Sequence, residues 1–337
     1  MQLRLLLIFF IATTSCSAER ILLTGGAGFI GSHLSERLLR DGHTVIIVDC
    51  LTPYYDPKIK QKNLKQIKAS DQFNRLRVYY DDIHDQEKLK TIFQTEKPTV
   101  ICHVAACAGV SPSLEKPEMY VHTNVMGTLH IFEMARMFGV KHIVFASSSS
   151  VYGQSTEAPF VEIAAADRPC SPYAVTKRAG ELLAHTYTHL YGITCNCLRF
   201  FTVYGPRGRP DMAPFKFMDA IYHGRAITQF GDGSSLRDFT YIDDIVDGIV
   251  RGLDYRHGFE IFNLGRGEPV TLKTFIQTLE AVVGKKAKII IKDNQAGDVP
   301  ATHADIKKAE KLLGYQPKIS LRQGLERMFA WYQENVT

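Results

Sequence analysis

Two short motifs, about 140 residues apart, could together perform chemistry. Thr24-Gly25-Gly26-Ala27-Gly28-Phe29-Ile30-Gly31 lies near the N-terminus, and Tyr173-Ala174-Val175-Thr176-Lys177 lies in the middle of a chain of 337 residues. The first segment can hold the pyrophosphate of a dinucleotide, and the second can move a proton on an alcohol. We therefore expect a chain that oxidises a secondary alcohol with NAD.

The glycines follow a short apolar run and precede a helical pattern. Ile21-Leu22-Leu23 is typical of a buried strand, and the stretch to Arg40 has apolar residues at Ile30, Leu34 and Leu38, which is a helical interval. Glycines let the backbone approach a pyrophosphate, whose charge the N–H groups at the helix N-terminus can bind. The pattern predicts a strand, a tight turn and a helix that bind a dinucleotide. A glycine turn without a cofactor is the alternative.

An acidic residue follows the second predicted strand. The apolar segment from Thr44 to Val48 ends at Asp49, about 20 residues beyond the glycines. A carboxylate there would accept hydrogen bonds from the adenosine ribose and would repel a 2′-phosphate. We therefore expect NAD rather than NADP.

The segment from Tyr173 to Tyr191 is predicted to be one helix, with Ser171 as its N-cap and Gly192 after its end. Tyr173 and Lys177 share a face of that helix, roughly 6 Å apart. A free tyrosine has a pKa of about 10, and a nearby ammonium would favour the phenolate. The pair can act as a base and its supporting cation, although an ordinary exposed helical pair has the same spacing.

Hydroxyl groups follow another predicted strand. Lys141-His142-Ile143-Val144-Phe145 leads into Ala146-Ser147-Ser148-Ser149-Ser150-Val151-Tyr152-Gly153. Doubly wound sheets bind ligands at the carboxyl ends of parallel strands. One of these hydroxyls can therefore hydrogen-bond the alcohol that the tyrosine deprotonates. A polar serine loop is the alternative.

These motifs make the chain similar to the extended short-chain dehydrogenases/reductases of the nucleotide-sugar epimerase and dehydratase group, from about Ile21 to the C-terminus. Within that group it most resembles the UDP-glucuronate 4-epimerases, through Tyr54-Tyr55-Asp56, Val203 to Met212, and Gly297 to Thr302. The resemblance implies an α/β fold, with a Rossmann-type doubly wound parallel sheet and a smaller C-terminal substrate-binding α/β domain. It also implies NAD as cofactor and a UDP-sugar as substrate.

The resemblance also gives individual residues their expected roles. Ser148 would hold the reacting alcohol, Tyr173 would be the base, and Lys177 would be the supporting ammonium. The residues expected to bind NAD are Gly25, Gly28, Phe29, Ile30, Gly31, Asp49, Asp82, Ile83, Ala105, Tyr173 and Lys177.

A second set of residues would bind the UDP-sugar: Ser149, Ser150, Thr202, Arg209, Arg237 and Asp298. Arg237 would bind the diphosphate and Asp298 the uridine ribose, while the other four would bind the carboxylate of a uronic acid. A solvated loop charge is the alternative for Arg237 and Asp298. It is also the alternative for Arg209, since Arg207 lies two residues away.

The two residues before Val151-Tyr152-Gly153 distinguish the different reactions that members of this group perform. All members of the group are expected to remove the 4-hydroxyl proton while C4 gives its hydride to NAD, which leaves a 4-keto sugar. Dehydratases and decarboxylating synthases of the group then use an acidic pair, but Ser149 and Ser150 stand at those positions here. We therefore expect the keto sugar to rotate and take the hydride back on its other face. This would convert UDP-glucuronate to UDP-galacturonate; a UDP-glucose 4-epimerase and a non-catalytic NAD-binding regulator are the alternatives.

Three positions depart from the family pattern. Cys50 replaces an asparagine after the ribose-binding aspartate, and Cys107 replaces a glutamine. Ser111-Pro112 replaces an arginine-tyrosine pair beside the sugar site. The last departure bears on the identity of the substrate more than on the type of reaction.

Composition and charge fit a soluble globular enzyme. The 40 basic and 35 acidic residues give a net charge of +5 without a basic block, so nothing supports nucleic-acid binding. The length allows two domains. We expect a leader at 1–18, an NAD-binding domain at 19–201 and 229–257, and a nucleotide-sugar-binding domain at 202–228 and 258–337. The resemblance suggests a homodimer through the helices around 124–138 and 173–191.

The N-terminus has the charged start, apolar run and small-residue end of a secretory signal. NAD and nucleotide sugars are cytosolic metabolites, so we favour the cytoplasm, with the leader as a possible membrane anchor or export signal.

The seven cysteines are mostly expected in the core. Their spacing suggests no metal site.

Overall fold

The structure is a computed structural model that describes residues 18–154, 157–293 and 299–336. Within these ranges no helix combines the length and the apolar character that crossing a bilayer requires. The predicted leader falls, except for its last residue, on positions outside the described residues.

The described strands are β1 Arg20–Thr24, β2 Thr44–Val48, β3 Leu76–Tyr79, β4 Val100–His103, β5 His142–Ser148, β6 Thr194–Phe200, β7 Thr202–Tyr204, β8 Ala226–Phe230, β9 Leu236–Arg237, β10 Phe239–Tyr241, β11 Phe259–Leu264, β12 Val270–Thr271 and β13 Lys288–Lys292.

The described helices are α1 Phe29–Arg40, α2 Pro57–Ser70, α3 Gln86–Glu96, α4 Val110–Glu115, α5 Pro117–Val121, α6 Gly127–Phe138, α7 Pro172–Tyr191, α8 Ala213–Tyr222, α9 Ile242–Asp254, α10 Leu272–Val283, α11 Lys307–Leu313 and α12 Leu321–Asn335. A π-helical turn, His122–Met126, joins α5 to α6, and a 3₁₀ turn, Ser149–Tyr152, follows β5.

In the described residues, seven strands form one parallel sheet in the order β11-β6-β5-β4-β1-β2-β3. The chain builds one half from β1 to β3, then returns past β1 to build the other half. The order of strands reverses between β1 and β4, and sheets of this kind bind ligands at the carboxyl ends of those strands. This is the predicted doubly wound fold.

The strands of this sheet are apolar because both of their faces are buried. Ile21 and Leu23 of β1 belong to a core that includes residues of α1 and α9. Leu22 points the other way, into a core with residues of α3, α6 and α7. The two cores hold helices on both sides of the sheet, which leaves the loops at its carboxyl edge to form a site.

Helix α7 confirms the predicted helix and adds one residue at its start. It begins after Ser171, whose hydroxyl accepts a hydrogen bond from the Ala174 N–H at 3.2 Å. It ends before Gly192. The helix expected around 124–138 is α6, which begins at Gly127, because Asn124 lies in the π-helical turn that precedes it.

The sheet pairing shows which strands join the segments near the predicted domain boundaries at 229 and 258. β11 pairs with β6, so Phe259–Leu264 belongs to the large sheet and not to the smaller unit. β8 pairs with β13, and β9 pairs with β12, so the segment from Ala226 to Arg237 lies with the C-terminal part of the chain. The strands in both segments are short, and short strands do not reveal their pairing partners in sequence. The division into a cofactor domain and a substrate domain stays a prediction.

A buried ion pair holds α7 against the sheet. Glu181 on α7 accepts hydrogen bonds from Nε and Nη2 of Arg199 on β6, both at 2.8 Å, and from the Ser147 hydroxyl on β5 at 2.6 Å. Arg178 adds a contact at 2.9 Å. Burial would raise the pKa of Glu181, but these hydrogen bonds and the Arg199 charge hold it below its ordinary value. The position of α7 along β5 and β6 is therefore fixed by charge as well as by packing.

We expect Glu181→Gln to lower the free energy of unfolding by about 3 kcal/mol or more, because it leaves the Arg199 guanidinium buried without its counter-charge. Urea denaturation followed by circular dichroism measures this loss. The matched control is Glu326→Gln, which removes one partner of the exposed pair with Arg322 and should change stability by no more than about 0.5 kcal/mol. Equal, small effects of both substitutions would contradict the structural role of Glu181.

Candidate active site

The glycine loop between β1 and α1 is built by close backbone contacts. Gly25 has φ +73°, and a Cβ there would lie 2.8 Å from the backbone of Ala105. A Cβ at Gly31 would lie 2.2 Å from the Gly25 carbonyl oxygen. Side chains are therefore excluded from both positions.

Helix α1 begins at this loop in a form suited to an anion. Its N-cap, Gly28, has no side chain to bind the free N–H groups, and the first turn contains no acidic residue. That turn contains the predicted residues Phe29, Ile30 and Gly31. The N-terminus therefore presents N–H groups and a positive dipole end to a pyrophosphate.

The Asp49 carboxylate lies beneath this loop and is buried. It accepts hydrogen bonds from the N–H groups of Ala27 at 3.1 Å and Leu51 at 2.9 Å. The Lys60 ammonium on α2 lies 3.2 Å from the carboxylate, and the Asn63 amide donates to the Ala27 carbonyl at 3.0 Å. The sequence pattern did not single out Lys60 or Asn63, because nothing in their local spacing distinguishes them from other polar residues of α2.

The predicted adenine contacts lie at the carboxyl ends of β2 and β3. The Asp82 carboxylate accepts a hydrogen bond from the His84 N–H at 3.0 Å, while Ile83 is buried. Cys50 interacts with Asp82, and burial together with the neighbouring carboxylates raises the pKa of the Cys50 thiol to about 11. This thiol is therefore protonated at neutral pH.

The predicted catalytic hydroxyls meet at the end of β5. The Ser148 hydroxyl accepts a hydrogen bond from the Ser150 N–H at 3.2 Å and lies 3.1 Å from the Ser150 hydroxyl. Its side chain also hydrogen-bonds that of Tyr173. Burial raises the pKa of Tyr173, while the Ser148 hydrogen bond and the Arg209 charge lower it in part.

The Lys177 ammonium is buried behind these hydroxyls. It donates to the Ala146 carbonyl at 2.6 Å and lies 5.2 Å from the centroid of the Phe145 ring. Burial lowers the pKa of Lys177 to about 8, against the opposing effects of Cys107 and Glu181. The interactions that lower the pKa of Tyr173 in this structure are the Ser148 hydrogen bond and the Arg209 charge. The role of Lys177 as the supporting ammonium stays a prediction.

Asn124 lies at the site, although the sequence analysis gives it no role there. Its amide clamps Cys107, accepting from the backbone N–H at 2.8 Å and donating to the carbonyl at 2.9 Å. It also donates to the Thr176 hydroxyl at 2.9 Å, and that hydroxyl donates to the Tyr173 carbonyl at 2.8 Å. Asn124 thus connects the loop after β4 to the first turn of α7. A buried asparagine inside a helical segment is the signal that could have identified it.

The two arginines of the loop after β7 point in different directions. Arg207 pairs with Glu36 on α1, with 2.8 Å between Nη2 and the carboxylate. Arg209 donates from Nη2 to the Ala108 carbonyl at 2.8 Å, and its charge acts on Tyr173. Only Arg209 of this pair therefore faces the predicted catalytic residues.

Two further tyrosines surround this arginine. Tyr54 donates to the Ala108 carbonyl at 2.7 Å, and its ring centroid lies 5.1 Å from the Arg209 guanidinium. The Tyr54 hydroxyl lies 2.6 Å from that of Tyr120, whose ring makes an edge contact with Tyr173 at 6.2 Å. The first tyrosine of Tyr54-Tyr55-Asp56 therefore belongs to the site.

The other predicted substrate residues are spread around this centre. Ser149 begins the 3₁₀ turn after β5, and Thr202 begins β7, with its N–H donating to the Asp238 carbonyl at 3.0 Å. Arg237, on β9 rather than in a loop, donates to the Leu236 carbonyl at 2.8 Å. The predicted residue Asp298 lies outside the described residues.

The cysteines and histidines form no metal site in the described ranges. No group of three or more His, Cys, Asp or Glu side chains there is arranged to hold a metal ion. Cys102, Cys107, Cys195 and Cys197 are buried and free of disulfides, which confirms that these thiols are core residues.

Comparison with known proteins gives a consistent result. The family model described as GDP-mannose 4,6 dehydratase matches residues 22–328. The UDP-glucuronate 4-epimerase of Thermodesulfobacterium geofontis is 47% identical over 317 residues, which cover 94% of this chain and 96% of that protein. The probable UDP-glucuronate 4-epimerase of Rhizobium meliloti is 42% identical over 335 residues, covering 94% and 97%.

Two solved structures are also similar. The UDP-glucuronic acid 4-epimerase of Bacillus cereus, in complex with UDP-glucuronic acid and NAD, has a TM-score of 0.87 and 35% identity, covering 94% of this chain and 99% of that one. The UDP-glucose 4-epimerase of Thermotoga maritima with UDP-glucose has a TM-score of 0.86 and 31% identity, covering 94% and 100%. These matches confirm the predicted fold class and the predicted resemblance. The chain belongs to the GDP-mannose 4,6-dehydratase family of extended short-chain dehydrogenases/reductases.

Proposed function

We propose that this protein is an NAD-dependent UDP-sugar 4-epimerase that interconverts UDP-glucuronate and UDP-galacturonate. The observation that carries the proposal is the cluster of Ser148, Tyr173 and Arg209 at the carboxyl edge of the sheet, where a hydroxyl pair that can bind and deprotonate an alcohol lies beside a partly buried guanidinium. The names of the relatives and of the solved structures support the same reaction.

The glycine loop fits a dinucleotide. Its backbone is too close to Ala105 and to itself for side chains at Gly25 and Gly31, so a pyrophosphate can approach the N–H groups of α1. Asp49 would accept from the adenosine ribose, while Asp82 and Ile83 would contact the adenine. When bound, NAD supplies the acceptor and later the donor of the C4 hydride.

We assign the proton transfer to Tyr173. Its phenolate would take the 4-hydroxyl proton, and the Ser148 hydroxyl would hold the same oxygen through the hydrogen bond network that joins the two side chains. Lys177, buried next to the cofactor side of α7, would orient the nicotinamide ribose and supply positive charge once a ligand partner faces it. When the rotated keto sugar has its C4 hydride back on the opposite face, Tyr173 would return the proton to the 4-oxygen, which completes the inversion at C4.

The serines after β5 favour epimerisation over elimination. Within the described residues, the side chains that hydrogen-bond Ser148 are those of Ser150 and Tyr173, and no carboxyl group is among them. An elimination from the 4-keto sugar needs an acid and a base beside C5 and C6. We infer that the keto sugar keeps its substituents.

We assign the uronic acid carboxylate to Arg209, Ser149, Ser150 and Thr202, and the diphosphate to Arg237. The uridine ribose contact would be Asp298.

A UDP-glucose 4-epimerase is the second candidate, because Arg209 is already paired with Asp211 and carries no surplus charge. A non-catalytic regulator would bind NAD without reducing it.

We further propose a homodimer and a cytoplasmic location. The helices predicted to meet a second copy carry exposed apolar side chains: Met126, Met137, Val175, Leu182 and Leu190. A four-helix contact between two copies would cover them. The location rests on the cytosolic supply of NAD and nucleotide sugars.

The first experiment is incubation of the purified protein with UDP-glucuronate, followed by separation of the 4-epimers. We expect a mixture with UDP-galacturonate and a transient absorbance of reduced nicotinamide when the sugar nucleotide is added. Bound NAD that is never reduced would favour the regulator, and conversion of UDP-glucose alone would favour the second candidate.

We expect Tyr173→Phe to keep the fold and the bound NAD but to lose at least about a hundredfold in turnover, the usual scale for removing a proton-transfer group. Turnover is measured by epimer separation, and retained NAD by absorbance after denaturation. Tyr255→Phe, at the C-terminal end of α9, is the matched control. Near wild-type turnover by Tyr173→Phe would show that another group is the base.

We expect Asp49→Asn to shift the relative affinity for NADP over NAD by roughly tenfold, or about 1.4 kcal/mol. The substitution removes the charge that repels a 2′-phosphate and leaves the Lys60 ammonium 3.2 Å from the same position. Titration of both dinucleotides measures the shift. Asp41→Asn, which alters the exposed ion pair with Arg37, serves as the control. An unchanged preference of Asp49→Asn for NAD over NADP would contradict the assignment of Asp49 to the adenosine ribose.

We expect Arg209→Ala to reduce turnover of UDP-glucuronate ten- to a hundredfold more than any turnover of UDP-glucose. Losing a charge-assisted contact to a carboxylate costs about 1.5–3 kcal/mol. The measurement is kcat/KM for both sugars, with Arg207→Ala as the control from the same loop. Equal losses on both sugars would favour the neutral-sugar epimerase.

A further inference from the structure

We propose that Asp211 holds the place of the substrate carboxylate on Arg209 in the free protein, and that the need to displace it limits the preference for an acidic sugar over a neutral one. The inference rests on the proposed function and adds a specificity-determining residue to the same site. It starts from an ion pair that the assignment of Arg209 leaves unexplained.

The geometry of this pair is that of a guanidinium bound to a bidentate carboxylate. Nε of Arg209 donates to one oxygen of Asp211 at 3.0 Å, and Nη2 donates to the other at 2.5 Å. Two parallel hydrogen bonds of this kind are also what a guanidinium makes to a ligand carboxylate. The Nε–Nη2 edge of Arg209 cannot hold both carboxylates at once. A uronic acid that binds through this edge must therefore displace Asp211.

The arginine has contacts that keep it in place when Asp211 leaves. Nη2 also donates to the Ala108 carbonyl at 2.8 Å, and the guanidinium lies 5.1 Å from the centroid of the Tyr54 ring. Tyr54 donates to the same carbonyl at 2.7 Å. The Arg209 side chain is only 14% exposed, whereas the Asp211 side chain is 38% exposed. The aspartate is therefore the partner that can turn into solvent.

The exchange has different consequences for the two sugars. A uronic acid replaces one carboxylate by another, so the guanidinium stays paired and the aspartate regains its hydration. A neutral sugar has no carboxylate, so the ion pair between Arg209 and Asp211 stays intact. The neutral sugar then binds beside two residues whose charges cancel. Asp211 thus lowers the affinity for the acidic sugar while leaving the neutral sugar almost unaffected.

The test is Asp211→Asn, which keeps the side-chain shape and removes the competing charge. We expect the Kd of UDP-glucuronate, measured by calorimetry on the NAD-loaded protein, to fall roughly two- to fivefold, the upper part of the range for an exposed ion pair. The Kd of UDP-glucose should change by less than about twofold.

The matched control is Glu36→Gln, which removes the carboxylate partner of Arg207 on the other side of the same loop. It should leave the ratio of the two Kd values unchanged. Asp211→Ser is the second variant if Asp211→Asn is poorly folded, and it should shift the ratio in the same direction.

A weaker or unchanged affinity of Asp211→Asn for UDP-glucuronate would overturn the proposal, since it would make Asp211 a support for Arg209 rather than its competitor. The proposed function fails in a different way: the wild type would not epimerise UDP-glucuronate, or Arg209→Ala would weaken both sugars equally. A wild type that epimerises the acidic sugar through Arg209, with no tightening in Asp211→Asn, would therefore reject only the inference about Asp211.

Discussion

The buried pair of Glu181 and Arg199 is the interaction on which the site depends most directly. It fixes α7 on β5 and β6, and the Ser147 hydroxyl that joins it is the neighbour of Ser148. A shift of α7 by one turn would move Tyr173 by about 5.4 Å, far beyond hydrogen-bond reach of Ser148. A hydrophobic contact tolerates small slides, whereas this bidentate pair does not. The Glu181–Arg199 pair thus lies at the place where a displacement of α7 by less than one turn would already separate Tyr173 from Ser148.

The same edge of the sheet separates two kinds of chemistry. On one side of the switch in strand order, backbone N–H groups and Asp49 form a rigid surface for a dinucleotide, braced by Lys60 and Asn63. On the other side, hydroxyl groups and one guanidinium face the space where a sugar would lie. Lys177 lies between them, and its burial keeps its pKa near 8. The protein therefore joins a fixed cofactor surface to a side-chain surface that can rearrange.

The sequence predicts those parts of the fold and site that local signals encode. Neighbouring residues in the sequence are enough to predict the glycine loop, the serine that caps α7 and the apolar strands. The structure contains these features at the predicted places. The roles of Asn124 and Asp211 cannot be predicted from local sequence, because they depend on contacts with residues that only folding brings close. Arg209, for example, meets the Ala108 carbonyl across 101 residues of sequence. The place of β11 in the large sheet is not predicted for the same reason, since the pairing of β11 with β6 is not a local property.

Tyr54 has a consequence for the order in which the two ligands bind. It lies on the segment between Asp49 and Lys60, which supports the glycine loop, yet its hydroxyl holds the Ala108 carbonyl that also binds Arg209. A shift of this segment when a dinucleotide binds would therefore reach the guanidinium that faces the sugar. Thermodynamic linkage would make that effect mutual, so each ligand would change the affinity for the other by the same factor. One tyrosine hydroxyl would thus make the occupancy of the cofactor site and that of the sugar site depend on each other.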